Sequence, residues 1–257
     1  MLLAIDVGNT QTHLGTFEGE RLVEHWRFAT DAEATSDELA VTLSSLLRLR
    51  GIEPEAVDGS IVSTVVPQLG PEYARMCERN LPQDCLMVGP SVKTGMAIKI
   101  DNPHELGADR LVNAVAAFDR VGGACVAVDF GTSTNFDVVS ADGEYLGGVI
   151  APGVEISMEA LTERTAKLPR IDLGKPDGAI GRNTQAAIQS GVVFGFAGLV
   201  DGICRRLAVE LDDDAKFIAT GGLAAAIVPF CDTIDEVDDL LTLTGLRLVF
   251  ERNQPDD

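Results

Sequence analysis

Two short stretches hold residues whose types and spacing suit chemistry on a phosphate. Residues 6–10 read Asp-Val-Gly-Asn-Thr, and residues 129–133 read Asp-Phe-Gly-Thr-Ser. In each, an apolar run ends on a carboxylate, and a glycine and small polar side chains follow. Glycine lets the backbone approach a ligand closely, and successive N–H groups at a tight turn make a nest for anionic oxygens. Thr and Asn side chains add donors, and the carboxylate suits a hard cation or a water bound to it. Two such corners facing each other across a cleft would hold a nucleotide triphosphate from both sides. Two ordinary hairpins with an Asp in each turn are the simpler alternative.

The surroundings favour the first reading. Each corner is followed by an alternating run, His13–Phe17 in one and Asn135–Val139 in the other. Each then meets a second turn, "FEGERL" or "SADGEYL", and a third strand-like run. Asp129 lies 123 residues after Asp6 in a chain of 257. A repeat at half the chain length points to two related domains, expected at 1–118 and 119–257, rather than to a solenoid.

Two further stretches are candidates. In "DNPHELGADR", residues 101–110, Asp109 stands at the start of an expected helix beside Gly107 and Arg110. Asp is a favoured N-cap. The same carboxylate could instead accept the proton of a substrate hydroxyl while Arg110 grips an anion, and the residues alone leave both open. "KFIATGGLAAAI", from Lys216, reads as strand, glycine turn and helix, a third place where backbone can approach a nucleotide. His13, His25 and His104 have no triad or metal spacing. Neither G-x-x-x-x-G-K-[ST] nor G-x-G-x-x-G occurs. The "DFG" at 129–131 lacks the catalytic loop and strand lysine of a protein kinase.

The elements that must position these groups alternate. "SDELAVTLSSLLRLR" reads as a helix capped by Ser36, "GSIVSTVV" as a strand, "PQLGPEYARMCERNL" as a helix and "CLMVGP" as a strand. A strand at "MAIK" then leads through a polar loop to a helix starting near Asp109. This order gives an α/β fold with mixed sheets. A loop rich in Pro, Gly and charge spans 165–183, and a long helix runs from about Thr184 to Glu210. Gly191, Gly195, Gly198 and Gly202 share one face of that helix, which predicts close packing there, within the chain or across a dimer.

Composition narrows the partners. The formal net charge is −20, with 40 acidic and 20 basic residues. Such a chain is repelled by nucleic-acid backbones and anionic lipid. The five cysteines are scattered, without a C-x-x-C pair, which reads as buried thiols rather than a zinc ribbon or disulfide scaffold. No uncharged apolar stretch reaches ~18 residues, and no signal-peptide pattern opens the chain, so the expected location is the cytoplasm.

Taken in order, "DVGNT" at 6–10, "GADR" at 107–110, "DFGTST" at 129–134, "GRNT" at 181–184 and "ATGG" at 219–222 resemble the type III pantothenate kinases. The ordered set is specific where each motif alone is not. The resemblance implies the acetate and sugar kinase/actin-like fold, two duplicated ribonuclease H-like α/β domains, usually as a homodimer. It implies ATP-dependent phosphorylation of pantothenate to 4'-phosphopantothenate, the first step of coenzyme A synthesis. By the same resemblance Asp6, Val7, Gly8, Asn9, Thr10, Gln11, Thr12 and His13, with Thr132, would contact ATP. Gly107, Ala108, Asp109, Arg110 and Thr184 would contact pantothenate, with Asp109 as proton acceptor. Asp129 would bind a monovalent cation such as K⁺ or NH₄⁺, and Mg²⁺ would accompany the nucleotide. Three positions depart from the family pattern: Ile100 stands where Tyr is usual, Gln11 where Asn is common, and Asn135 where Thr is common. A regulatory paralogue that binds nucleotide or pantothenate, or a related small-molecule kinase, are the alternatives.

Overall fold

The structure, a computed structural model, describes residues 1–83, 85–165, 168–211 and 214–254. Ala166 and Lys167, in the loop expected over 165–183, lie outside the described residues. The chain divides into two compact units: residues 1–96, 101–116 and 241–257 in the first, and 97–100 and 117–240 in the second.

The first unit opens with strands β1 (Leu2–Val7), β2 (Gln11–Glu18) and β3 (Arg21–Ala29), an antiparallel meander. Helix α1 (Ser36–Arg48), strand β4 (Gly59–Thr64), helix α2 (Leu69–Asn80) and short strand β5 (Leu86–Met87) follow. The sheet order is β3-β2-β1-β4-β5, with β4 parallel to both β1 and β5. Strand alternation sends Leu3, Ile5 and Val7 to one face, where they pack with Leu39, Leu43 and Leu47 of α1 and Tyr73 and Met76 of α2. Thr35, rather than Ser36, caps α1: its side chain accepts from the Glu38 N–H while Glu38 bonds back to the Thr35 N–H, a closed capping box. The Ser36 N–H donates instead to Glu72 of α2 at 2.8 Å.

The second unit repeats this plan. β6 (Ala97–Ile98) belongs to it, and helix α3 (Ala108–Val121) starts in the first unit and ends in the second; then come β7 (Cys125–Phe130), β8 (Ser133–Val139) and β9 (Glu144–Pro152), again an antiparallel meander. Helices α4 (Val154–Glu163) and α5 (Thr184–Glu210), strand β10 (Lys216–Thr220), helix α6 (Ala224–Ile227) and strand β11 (Glu236–Val237) complete it. The order β11-β10-β7-β8-β9-β6 contains the first sheet's order, with β10 parallel to β7 as β4 is to β1; β6 adds an edge. The duplication expected from the two corners is therefore a duplication of topology. Val126, Val128, Phe130 and Phe136 pack against Val193, Ala197, Val200 and Cys204 of α5.

The last helix, α7 (Leu241–Glu251), belongs with the first unit and covers the other face of its sheet. A side chain at Gly245 would start 2.0 Å from the Val112 carbonyl oxygen, so only glycine permits this contact with α3.

Helix α5 is, by length and hydropathy, long enough to cross a membrane, although polar residues through Ser190 and the charge at Asp201 break its apolar run. Asp201 is 6% exposed and accepts from the Asp232 and Thr233 N–H groups and the Thr233 hydroxyl. That carboxylate is tied to the Asp232–Thr233 backbone, and one face of α5 packs into the core beneath the second sheet while the rest of the helix is half-buried or exposed. Among the described residues of the unit, Cβ atoms at Gly191, Gly195 and Gly198 would find open space, and one at Gly202 would meet only Arg206 of the same helix at 3.6 Å. The close packing expected on this face is not found among the described residues of the second unit.

Candidate active site

The first corner follows from β1 ending in a glycine turn. The Gly8 N–H donates to the Gln11 carbonyl at 3.0 Å, which closes the turn and leaves Asn9, Thr10 and Gln11 exposed. Asp6 sits on the face opposite the α1–α2 core, in register with His13 of β2 and Ser63 of β4. Burial lowers the His13 pKa, helped by the nearby Arg27 charge, which favours the neutral imidazole. Thr12 is buried, and its hydroxyl shares a 2.9 Å bond with that of Thr30. The Thr30 N–H donates to the Thr10 carbonyl at 2.9 Å, so the end of β3 buttresses the turn.

The second corner is one residue shorter. Val7 pairs with Thr12, whereas Phe130 pairs with Thr134. Asp129 is in register with Asn135 and with Thr220 of β10, the place that Asp6 holds between His13 and Ser63. Backbone closes around it. Gly221, at φ +95, has no Cβ; one built there would lie 2.4 Å from Asp129 Oδ1 and 2.7 Å from the Phe130 backbone. A Cβ at Gly153, the N-cap of α4, would lie 2.1 Å from the Thr132 carbonyl oxygen. The Leu223 N–H donates to the Phe130 carbonyl at 3.3 Å, which joins the "ATGG" turn to the corner. Thr132 itself is exposed. The structure thus brings together Asp129, Thr132 and the glycine turn after β10, all within the second unit.

Gly107, Ala108, Asp109 and Arg110 open α3 in the first unit. The Gly107 carbonyl accepts the Leu111 N–H at 3.1 Å, so Gly107 holds the N-cap place and Asp109 is the second residue of the helix, not its cap. The Asp109 carboxylate folds back over Gly107, where a Cβ would meet Oδ1 at 2.5 Å. Its Oδ1 is buried and has no hydrogen-bond partner among the described residues. Burial raises the Asp109 pKa, against the opposing pull of the Arg110 N–H and guanidinium. A carboxylate with a raised pKa and an idle oxygen is equipped to receive a proton.

Thr184, in the second unit, is the exposed first residue of α5. Asn183 caps that helix by accepting the Ala186 N–H at 2.8 Å, and Gly181 lies so close that a Cβ would clash with Ala187. With Gly191 and Gly195 these residues line a groove of about 820 Å³. Reasoning from sequence missed this groove, Gly153 and Ser63; the serine stands at the C-terminal end of a strand that the sequence did mark, "GSIVSTVV".

The model of type III pantothenate kinase matches residues 2–206, a span that contains both corners, "GADR" and "GRNT". The chain belongs to the type III pantothenate kinase family. A type III pantothenate kinase of Myxococcus xanthus is 51% identical over 253 residues, covering 98% of this chain and 99% of that protein. One from Anaeromyxobacter sp. (strain Fw109-5) is 53% identical over 254 residues, covering 99% of this chain and 100% of that protein. Solved structures agree on the fold alone. An inorganic polyphosphate/ATP-glucomannokinase from Arthrobacter sp. strain KM has a TM-score of 0.50 at 16% identity, covering 97% of this chain and 96% of its own. The activator of 2-hydroxyisocaproyl-CoA dehydratase from Clostridium difficile, with bound ADPNP, has a TM-score of 0.51 at 11% identity, covering 97% of this chain and 92% of its own. Within a type III pantothenate kinase, the Ile100 departure lies just after β6, with its Cγ2 3.7 Å from where a Gly147 Cβ would be. The one tyrosine hydroxyl of the second unit, on Tyr145, is buried and donates to Asp137 at 2.8 Å.

Proposed function

We infer that this chain transfers the γ-phosphoryl group of ATP to pantothenate, giving 4'-phosphopantothenate and ADP, the first step of coenzyme A biosynthesis. Membership of the family and relatives at about half identity over the full length carry this reading. In our assignment the primary hydroxyl oxygen of pantothenate attacks the γ-phosphorus, the bond from that phosphorus to the β–γ bridging oxygen breaks, and the hydroxyl proton passes to Asp109. The observation that supports Asp109 is its buried, unpartnered Oδ1 at the head of α3. Gly107, Ala108, Arg110 and Thr184 are assigned to pantothenate; Arg110 offers a cation for its carboxylate. Residues 6–13 and Thr132 are assigned to ATP, whose phosphates suit the exposed turn of Asn9, Thr10 and Gln11.

Asp129 is assigned to a monovalent cation, K⁺ or NH₄⁺. The fit lies in the cradle around its carboxylate, which the Cβ of any residue but glycine at 221 would fill. A cation held there would neutralise phosphate charge, the chief demand of phosphoryl transfer. Mg²⁺ is assigned to the nucleotide's own oxygens. We assign the location to the cytoplasm. The bare glycine face of α5 and the groove beside it, with Leu161 and Phe194 exposed nearby, support a homodimer; a monomeric mass in solution would contradict it.

A panel of pantothenate, sugars and small hydroxy acids with ATP and K⁺, read by ADP release and product mass, tests the reading. Turnover confined to pantothenate is expected. Turnover of a sugar alone would support a related kinase, and nucleotide binding without turnover a regulatory paralogue.

A further inference from the structure

Ser63 is buried at 0% exposure, and its hydroxyl oxygen has no hydrogen-bond partner among the described residues. Neighbouring hydroxyls are occupied. Thr64 Oγ1 donates to the Val66 carbonyl and accepts the Val66 N–H, Ser60 donates to Cys77, and Thr12 bonds Thr30. A buried hydroxyl left unpaired is costly, and in native proteins such a group usually marks a partner that is not part of the chain.

Its place says which partner. Ser63 is in parallel register with Asp6, so the two side chains project from the same face of adjacent strands. Both stand at the C-terminal ends of β1 and β4, the edge of an α/β sheet where ligands bind. Just past Asp6 and Ser63, the Val65 N–H still bonds the Val7 carbonyl at 3.1 Å, which holds the two strand ends together. A hydroxyl residue occupies the equivalent register in the second unit, Thr220 beside Asp129. The repeat therefore extends past the corners to the strand next to each carboxylate.

We propose that Ser63 is a positioning residue for the nucleotide: its hydroxyl donates to an oxygen that arrives with ATP beside Asp6, either a phosphate oxygen or a water of the nucleotide's hydrated cation. The bond forms only in the liganded enzyme. The proposal rests on the ATP-dependent reading above.

The test compares Ser63→Ala with wild type by calorimetric titration of a non-hydrolysable ATP analogue, once with Mg²⁺ and once with EDTA. Ligand-free melting and steady-state kinetics accompany it. The ligand-free variant should melt at or above the wild-type temperature, because no bond is lost. Analogue affinity should fall roughly three- to tenfold, the scale of one hydrogen bond. Loss in both arms assigns the phosphate oxygen, and loss only with Mg²⁺ assigns the cation's water. KM for ATP should rise by the same factor, with KM for pantothenate unchanged. Ser63→Cys, of similar size with a weak donor, should repeat the result if the alanine variant folds poorly. Unchanged affinity in both arms overturns the proposal, as does a ligand-free melting temperature lowered by more than about 3 °C in both variants, which would give the hydroxyl a structural bond. If wild type itself binds no analogue, the ATP-dependent reading fails first; if only the variant binds normally, the Ser63 proposal fails alone.

Discussion

The two corners share a topology and differ in what surrounds the carboxylate. Both carboxylates are flanked in register by polar side chains, Asp6 by His13 and Ser63 and Asp129 by Asn135 and Thr220. They differ in the backbone: at Asp129 the Gly221 turn closes on the carboxylate and Gly153 packs on the Thr132 carbonyl, whereas the first corner has a longer turn that exposes Asn9, Thr10 and Gln11. A backbone cradle is fixed by the fold and fits a small ion. A turn faced with amides and hydroxyls offers donors that adapt to phosphates. The duplication thus supplied one scaffold twice, with different residues and turn lengths around each carboxylate.

The largest effect that would break this contrast comes from the carboxylates. Asp129→Asn should lower kcat on the order of 10²–10³, the scale of removing one preorganised charge-stabilising group, and should flatten the response to K⁺. Asn9→Ala in the first corner should spare the K⁺ response and act on KM for ATP. A K⁺ titration of both variants checks this, and an equal loss of cation response in the two would erase the distinction.

A smaller effect sharpens it within the second corner. Gly153→Ala and Gly221→Ala place a Cβ on backbone atoms that cannot move aside, and Gly221 adds a left-handed φ. Each should destabilise by at least ~2 kcal/mol, from a clash plus, at 221, the backbone penalty. Gly131→Ala, inside the conspicuous "DFG", meets only ordinary contacts, 3.5 Å from Asp129 Oδ1 and 3.7 Å from the Ser133 carbonyl. It should cost no more than ~1 kcal/mol in denaturant unfolding. Equal losses at 131 and 221 would show that the cradle is not what the glycines preserve.

Sequence carried much of the architecture because the signals were local. The alternation around Asp6 and Asp129, the glycine turns and the long apolar helix from Thr184 to Glu210 each announce an element, and the strands and helices lie where these patterns put them. What stayed hidden depends on distant partners. Ser36 looks as good a cap as Thr35, and only Glu72 of α2, which takes the Ser36 N–H, separates them. Asp109 looks like a cap, yet the Gly107 carbonyl begins the helix and the carboxylate is left buried. Gly153 reads as part of a strand-to-helix link until Thr132 is seen beneath it. The return of α7 to the first unit has no local signature, since it depends on Gly245 meeting the α3 backbone.

If Asp109 takes the proton of pantothenate's hydroxyl, Asp109→Asn should show it most directly. The amide is nearly isosteric and cannot take a proton. Because burial raises the folded pKa of Asp109, its favourable contribution exists below the unfolded pKa and is lost as pH rises through the folded one. At pH 8 the ionised carboxylate therefore opposes folding, and the variant should melt at or above the wild-type temperature. Wild-type kcat/KM should fall as pH drops through the raised pKa of this base. In the variant, ATP should still bind and kcat for pantothenate should fall by about 10²–10⁴, the usual worth of a general base. A stable variant with near-normal kcat would contradict the claim and leave "GADR" as the start of a helix.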